Sequence, residues 1–112
     1  MHEPTFLILT SLVAGPLHGY AILSEVAAIS NNRMRIGTLY AALERLNGEA
    51  LVEVAGEEVV NGRLRRSYRL TGLGEQALTE ETKRLESLAK QARRRLRQRP
   101  ALSRLVAIKG VG

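Results

Sequence analysis

The side chains in this sequence best suited to chemistry are arginines, and eight of them fall in two clusters. One is Arg63, Arg65 and Arg66; the other is the denser run Arg93, Arg94, Arg95, Arg97 and Arg99. A guanidinium stays charged and presents a planar fork of N–H donors that matches phosphate, so clustered arginines point to a polyanionic partner. Other chemistries are poorly supplied. Histidine occurs only at His2 and His18, and cysteine is absent, which excludes a thiolate nucleophile and a zinc finger with cysteine ligands; no metal cluster or catalytic triad is read from the remaining residues. No phosphate-binding glycine loop appears. The reading is of a binding protein without cofactor or metal, not of an enzyme. His18, between Leu17 and Gly19, is expected to make a structural hydrogen bond.

The charge balance points the same way. The chain of 112 residues carries a formal net charge of +6, which favours a polyanion. Residues 1–58 hold 3 basic and 7 acidic side chains, whereas residues 59–112 hold 14 basic and 4 acidic ones. The positive charge therefore lies in the second half. The length suits one domain plus a dimerisation element. With 45% hydrophobic residues but only 4% aromatic and no Trp, the core must be aliphatic. The apolar stretch from Phe6 to Ala14 is too short to span a bilayer and is expected to be a core helix of a cytoplasmic protein.

The elements that would position the arginines follow from periodicity. Phe6, Leu9, Leu12 and Val13 recur at helical spacing, with Leu7 and Ile8 widening the apolar surface nearly all round; Gly15-Pro16 ends that segment. A second helix runs from Tyr20 to Ile29, with Tyr20, Leu23, Val26 and Ala27 expected on its buried stripe, and Ser30-Asn31-Asn32 breaks it. A third is expected to begin near Gly37-Thr38 with Thr38 as cap, and to bury Leu39, Leu43 and Leu46. The period then shifts. Leu51, Val52 and Val54 and the returning Ser67-Tyr68-Arg69-Leu70 read as a β-hairpin with Asn61-Gly62 at its turn. After Thr71-Gly72 a long helical seam follows through Leu73, Ala77, Leu78, Leu85, Leu88, Ala92 and Leu96, with Pro100 as terminator.

Two short helices, a third behind a polar turn, and a basic hairpin make a mainly α (α+β) fold, a winged helix-turn-helix with a two-stranded β wing. The expected organisation is a DNA-binding domain over 1–71, a C-terminal dimerisation helix over 72–100 and a tail over 101–112 to which no role attaches. The third helix would enter the major groove, its free face supplied by Thr38, Ala41 and Arg45. Tyr40 and Arg45 could reach phosphates or base edges, and Arg33 and Arg35 could hold the backbone at the groove entrance. Arg63, Arg65 and Arg66 could enter the minor groove or clamp the phosphates beside it. Each has an ordinary alternative, in half-buried packing for the tyrosine and in solvation for the arginines. The run at 93–99 reads first as the solvent face of a dimerisation helix, with DNA contact as the other option.

A helix of roughly 25 residues extends about 37 Å, too far for a core this small to cover. A second copy is the simplest partner for its far half, so a homodimer is expected, with Phe6, Leu9, Leu78, Leu85, Leu88, Ala92 and Leu96 at the contact.

Three motifs together carry a family resemblance: Gly15-Pro16-Leu17-His18-Gly19-Tyr20, then Gly37-Thr38-Leu39-Tyr40-Ala41-Ala42-Leu43-Glu44-Arg45-Leu46, then Arg66-Ser67-Tyr68-Arg69-Leu70-Thr71 followed by Gly74. In this order and spacing, over roughly residues 5 to 80, the sequence resembles the PadR family of transcriptional regulators. The resemblance implies a winged-helix repressor that dimerises through its N- and C-terminal helices and binds a pseudo-palindromic operator. By motif position it puts Tyr40, Arg45 and the wing arginines on DNA. It also implies a possible small aromatic ligand, for which Tyr20, Phe6 and the long seam are the candidate lining. Ala41 stands where a proline is common, Gly48 and Ala50 replace the usual glycine before the strand, and without Trp the tryptophan-lined pocket of drug-sensing relatives cannot form. The competing reading is a winged-helix module that docks a protein partner through its long helix without specific DNA binding.

Overall fold

The protein, seen in a computed structural model, is described over residues 1–100; the tail 101–112 lies outside the described residues. Its elements are α1 (Glu3–Ser11), β1 (Leu17–His18), α2 (Gly19–Ser30), α3 (Ile36–Gly48), β2 (Val52–Val60), β3 (Arg63–Leu70) and α4 (Gly72–Arg97). By its contacts the chain divides into two units, Met1–Glu81 and the part from Thr82 onward.

In the first unit, α1 starts with Glu3 and Pro4, where a missing proline N–H costs nothing and an acidic side chain complements the helix dipole. Leu7, Ile8, Leu9 and Leu12 are buried, which makes α1 the central helix that the sequence leads one to expect. Val13 departs from that expectation and is 62% exposed, because the helix has already ended at Ser11. On α2 the buried row is Gly19, Ile22 and Val26. The stripe is rotated from the expected one: Tyr20 is 63% exposed and Ile22 fully buried. Tyr20 lies in the first turn, beyond the edge of the core, so its ring is left outside. His18 caps the helix, its Nδ1 accepting the Ala21 N–H at 3.4 Å.

Helix α3 buries Leu39, Ala42, Leu43 and Leu46, three to four residues apart as a single helix face requires. It begins at Ile36, with extended Arg35 at the cap position and no capping side chain. Thr38 therefore stands inside the first turn and not at the cap. The core that α1, α2 and α3 share also takes Val52, Tyr68 and Leu78.

Asn61 (φ +53°) and Gly62 (φ +77°) both take the positive φ of a two-residue type I′ turn. That turn sets the register of β2 against β3, from Val60 opposite Arg63 to Val52 opposite Leu70, with a bulge between Val54 and Gly56. The wing hairpin is two-stranded as expected, but the sheet has three strands, in the order β1-β3-β2. Leu17 and His18 add the extra strand by pairing with Tyr68 and Ser67. Two residues are too short a run to show period-two alternation. Thr71 fixes the way out of the sheet: its hydroxyl donates to the Ala50 carbonyl at 2.6 Å and accepts the Gly74 N–H at 3.0 Å. A β-carbon on Gly74 would overlap the Leu51 carbonyl, so this crossing admits glycine alone.

The first turns of α4 bury Gly74, Leu78 and Glu81 in the first unit. In the second unit Leu85, Leu88 and Leu96 are 39%, 53% and 65% exposed, and Ala92 is exposed as well. Spaced three to four residues apart on one helix, they form a single apolar row. Among the described residues no helix is long and apolar enough to cross a membrane.

Candidate nucleic-acid interface

The buried row of α3 determines what its other faces offer. Opposite Leu39, Ala42, Leu43 and Leu46 come Gly37, Ala41, Glu44 and Gly48, all exposed. Nothing lies within 4 Å of a β-carbon built on Gly37 or Gly48. This face has almost no side-chain bulk, so a surface as wide as the major groove could approach the helix backbone closely.

One flank of α3 opens into a groove of about 880 Å³. Tyr40 and Ile36 form its α3 wall, and His18, Gly19 and Tyr20 at the start of α2 form its floor. The wing closes the far side through Arg63, Leu64, Arg65 and Arg66. Tyr40 is 46% exposed, and its hydroxyl lies only 2.7 Å from where a Gly19 β-carbon would stand. Gly19 thus lets the Tyr40 ring cross the start of α2.

The wing arginines divide into two kinds. Arg66 Nε donates to Glu57 Oε1 at 2.9 Å and Arg69 Nε to Glu53 Oε1 at 2.7 Å. Arg63 and Arg65 make no ion pair among the described residues, although Glu58 lies opposite Arg65 in the register. The two unpaired guanidinium groups are therefore those nearest the turn.

The other flank of α3 faces the start of α1. A smaller depression of about 290 Å³ is bordered there by Arg33, Arg35 and Thr38, with Glu3, Leu7 and Met34 behind them. Arg45 lies on this side too, and its guanidinium is engaged within the protein: Nη2 donates to Thr5 Oγ1 at 2.6 Å and Nη1 lies 3.5 Å from Glu49 Oε1. As a groove-facing side chain Arg45 needs correction. Its position on the helix turns it toward the buried Thr5 of α1, where it joins α1 to α3. The structure thus gathers Tyr40 with Arg63, Arg65 and Arg66, separates them from Arg33, Arg35 and Thr38 across α3, and leaves Ala41 between.

Two of the apolar positions expected at a dimer contact need the same treatment. Leu9 is fully buried and Leu78 is 9% exposed, since both belong to the unit's own core. Phe6 packs partly on that core, and Leu85, Leu88, Ala92 and Leu96 keep their surface. Tyr20, considered as ligand lining, instead belongs to the groove beside the wing. Sequence reasoning passed over Ile36, Leu64 and Glu44. Ile36 and Leu64 are 44% and 58% exposed beside that groove, and an apolar residue outside a periodic stripe was the only signal for them.

Comparison with known proteins bears on family and fold. Residues 8–80 match the family described as the transcriptional regulator PadR-like family, a family of regulators and not of enzymes. The chain is similar to the transcriptional regulator Rv3488 of Mycobacterium tuberculosis (strain ATCC 25618 / H37Rv), at 43% identity over 75 residues that make up 67% of this chain and 68% of that protein. The chain spans from 22% to 72% of the length of the curated relatives it matches. Its fold is shared with a PadR family transcription regulator from hypervirulent Clostridium difficile R20291, at TM-score 0.72 and 23% identity, covering 85% of this chain and 99% of that one. It is shared as well with Bacillus subtilis PadR, whose crystal structure was solved in complex with operator DNA, at TM-score 0.64 and 23% identity over 72% of this chain and 47% of that one. With residues 8–80, well over half of its length, matched by the family and all three motifs inside the match, the chain belongs to the PadR-like family of transcriptional regulators.

Proposed function

We propose that the chain is a sequence-specific DNA-binding repressor acting as a homodimer on an inverted-repeat operator. The observation that carries the reading is the face of α3: a helix whose outward face holds only small residues and Glu44, with Tyr40 and the unpaired Arg63 and Arg65 on one flank and Arg33 and Arg35 on the other. A helix seated in the major groove has phosphates along both of its sides, and this arrangement puts cations toward each. The operator complex of Bacillus subtilis PadR supports it as a relative in fold. The dimer reading rests on the row Leu85, Leu88, Ala92 and Leu96, which the chain's own second unit leaves exposed. A second copy would cover it and relate two α3 helices by a two-fold axis.

Footprinting on the DNA upstream of the protein's own coding sequence tests the proposal. The expected result is one protected stretch containing an inverted repeat, with half-site centres about 34 Å apart, one helical turn, or a multiple of it. Protection without sequence preference would overturn it.

A further inference from the structure

The outward face of α3 carries one charged side chain, and it is an acid. Glu44 is exposed between Ala41 and Gly48, on the face opposite Leu39, Leu43 and Leu46. Its carboxylate makes no hydrogen bond or ion pair among the described residues. Its neighbour Arg45 is bound to Thr5 and Glu49 and does not neutralise it. On any surface that approaches phosphates, an unpaired carboxylate is repelled unless it meets a donor. The floor of the major groove supplies donors in two places, the exocyclic amino groups of cytosine and adenine. Adenine sets its N7 acceptor beside the amino group, where it opposes a carboxylate; cytosine presents the amino group without such an acceptor on the same base. The small residues around Glu44 allow the groove floor to come within its reach.

Resting on the DNA-binding reading above, we propose that Glu44 determines specificity by accepting a hydrogen bond from cytosine N4 once in each half-site. It also selects against DNA in which no amino donor stands at that position, since the carboxylate is then buried against acceptors.

The test is selection of bound duplexes from a randomised pool by the intact protein and by its Glu44→Ala and Glu44→Gln variants. The wild type should prefer cytosine at one position per half-site by on the order of 10-fold over other bases. Glu44→Ala should lose that preference alone, keep the rest of the site and bind unrelated DNA more tightly. Glu44→Gln should shift the position toward adenine, whose N6 and N7 an amide can meet together. If the wild type selects a site and both variants select the same one unchanged, Glu44 does not read a base, and only this inference falls. If the wild type selects no sequence at all, the DNA-binding reading falls with it. Thermal unfolding of the variants, expected to match the wild type at this exposed position, shows that the comparison is between folded proteins.

Discussion

Tyr40 and Gly19 are coupled by contact, and that coupling makes the role of the tyrosine measurable. A methyl group added at Gly19 would meet the tip of the Tyr40 side chain and not backbone. Because Tyr40 is 46% exposed, its ring has somewhere to go. Gly19→Ala should therefore lower unfolding stability in urea by less than about 1 kcal/mol, since alanine's better helix propensity offsets part of the clash. DNA affinity should fall several-fold, because the displaced ring leaves the groove wall. A loss of several kcal/mol would show that the ring is fixed in the core, and unchanged affinity would remove Tyr40 from the interface. At this scale the sequence was partly legible. His18 in its turn before a helix was readable as a structural hydrogen bond because a cap is a local arrangement. Arg45 was not readable, since its partner Thr5 is 40 residues away in the chain and helix periodicity says only that position 45 borders the buried face. Ala50 illustrates the reverse case: its φ of +61° is the backbone conformation that favours glycine, and nothing in an alanine announces it.

Among the elements, the wing turns a cluster of similar residues into residues with different prospects. Arg66 and Arg69 are engaged by Glu57 and Glu53, whereas Arg63 and Arg65 beyond them are not. Releasing a guanidinium from an exposed carboxylate costs little, but the carboxylate left behind repels phosphate, so a paired arginine gains less from DNA than an unpaired one. Arg65→Ala should weaken binding to all sequences and lower the salt slope by about 0.9 for each phosphate no longer neutralised. Arg66→Ala should change the slope less. Titrations of both variants across a salt series check this, and equal slopes for the two would show that these ion pairs do not persist on DNA. Helix–helix–helix–hairpin–helix was legible as an order because α3 and α4 have strong periodic rows, α1 is a nearly continuous apolar run closed by Gly15-Pro16, and Asn61-Gly62 is a local hairpin signal. The phase of α2 was not, because Tyr20 and Ile22 are both apolar enough for either face and only the packing of α1 and α3 decides between them. The two-residue β1 was hidden for want of a pattern, and the start of α3 because the chain enters it without a capping side chain.

For the whole molecule, the decisive quantity is how the charge is used. A net charge of +6 attracts any polyanion, so attraction alone does not separate a repressor from a general DNA binder or from a protein that docks an acidic partner. Stoichiometry and salt dependence do separate them. A two-fold dimer doubles every phosphate contact and pairs two α3 helices, which predicts a steep salt dependence together with a preference for one site. A protein partner held on the row from Leu85 to Leu96 would be much less sensitive to salt, because burial of apolar surface is not screened. That this row faces outward was legible from the length of the seam, but what covers it depends on a second molecule and no single chain records it.

The most direct measurement is binding of the purified protein, with its mass determined in solution, to fragments of its own upstream DNA from 50 to 200 mM salt against unrelated competitor DNA. If about 6 to 10 phosphates are neutralised, affinity should fall about 10³- to 10⁵-fold across that range, with saturable binding of a dimer to one fragment. Equal or absent binding to every fragment, or a monomer that binds as well as any dimer, would contradict the account.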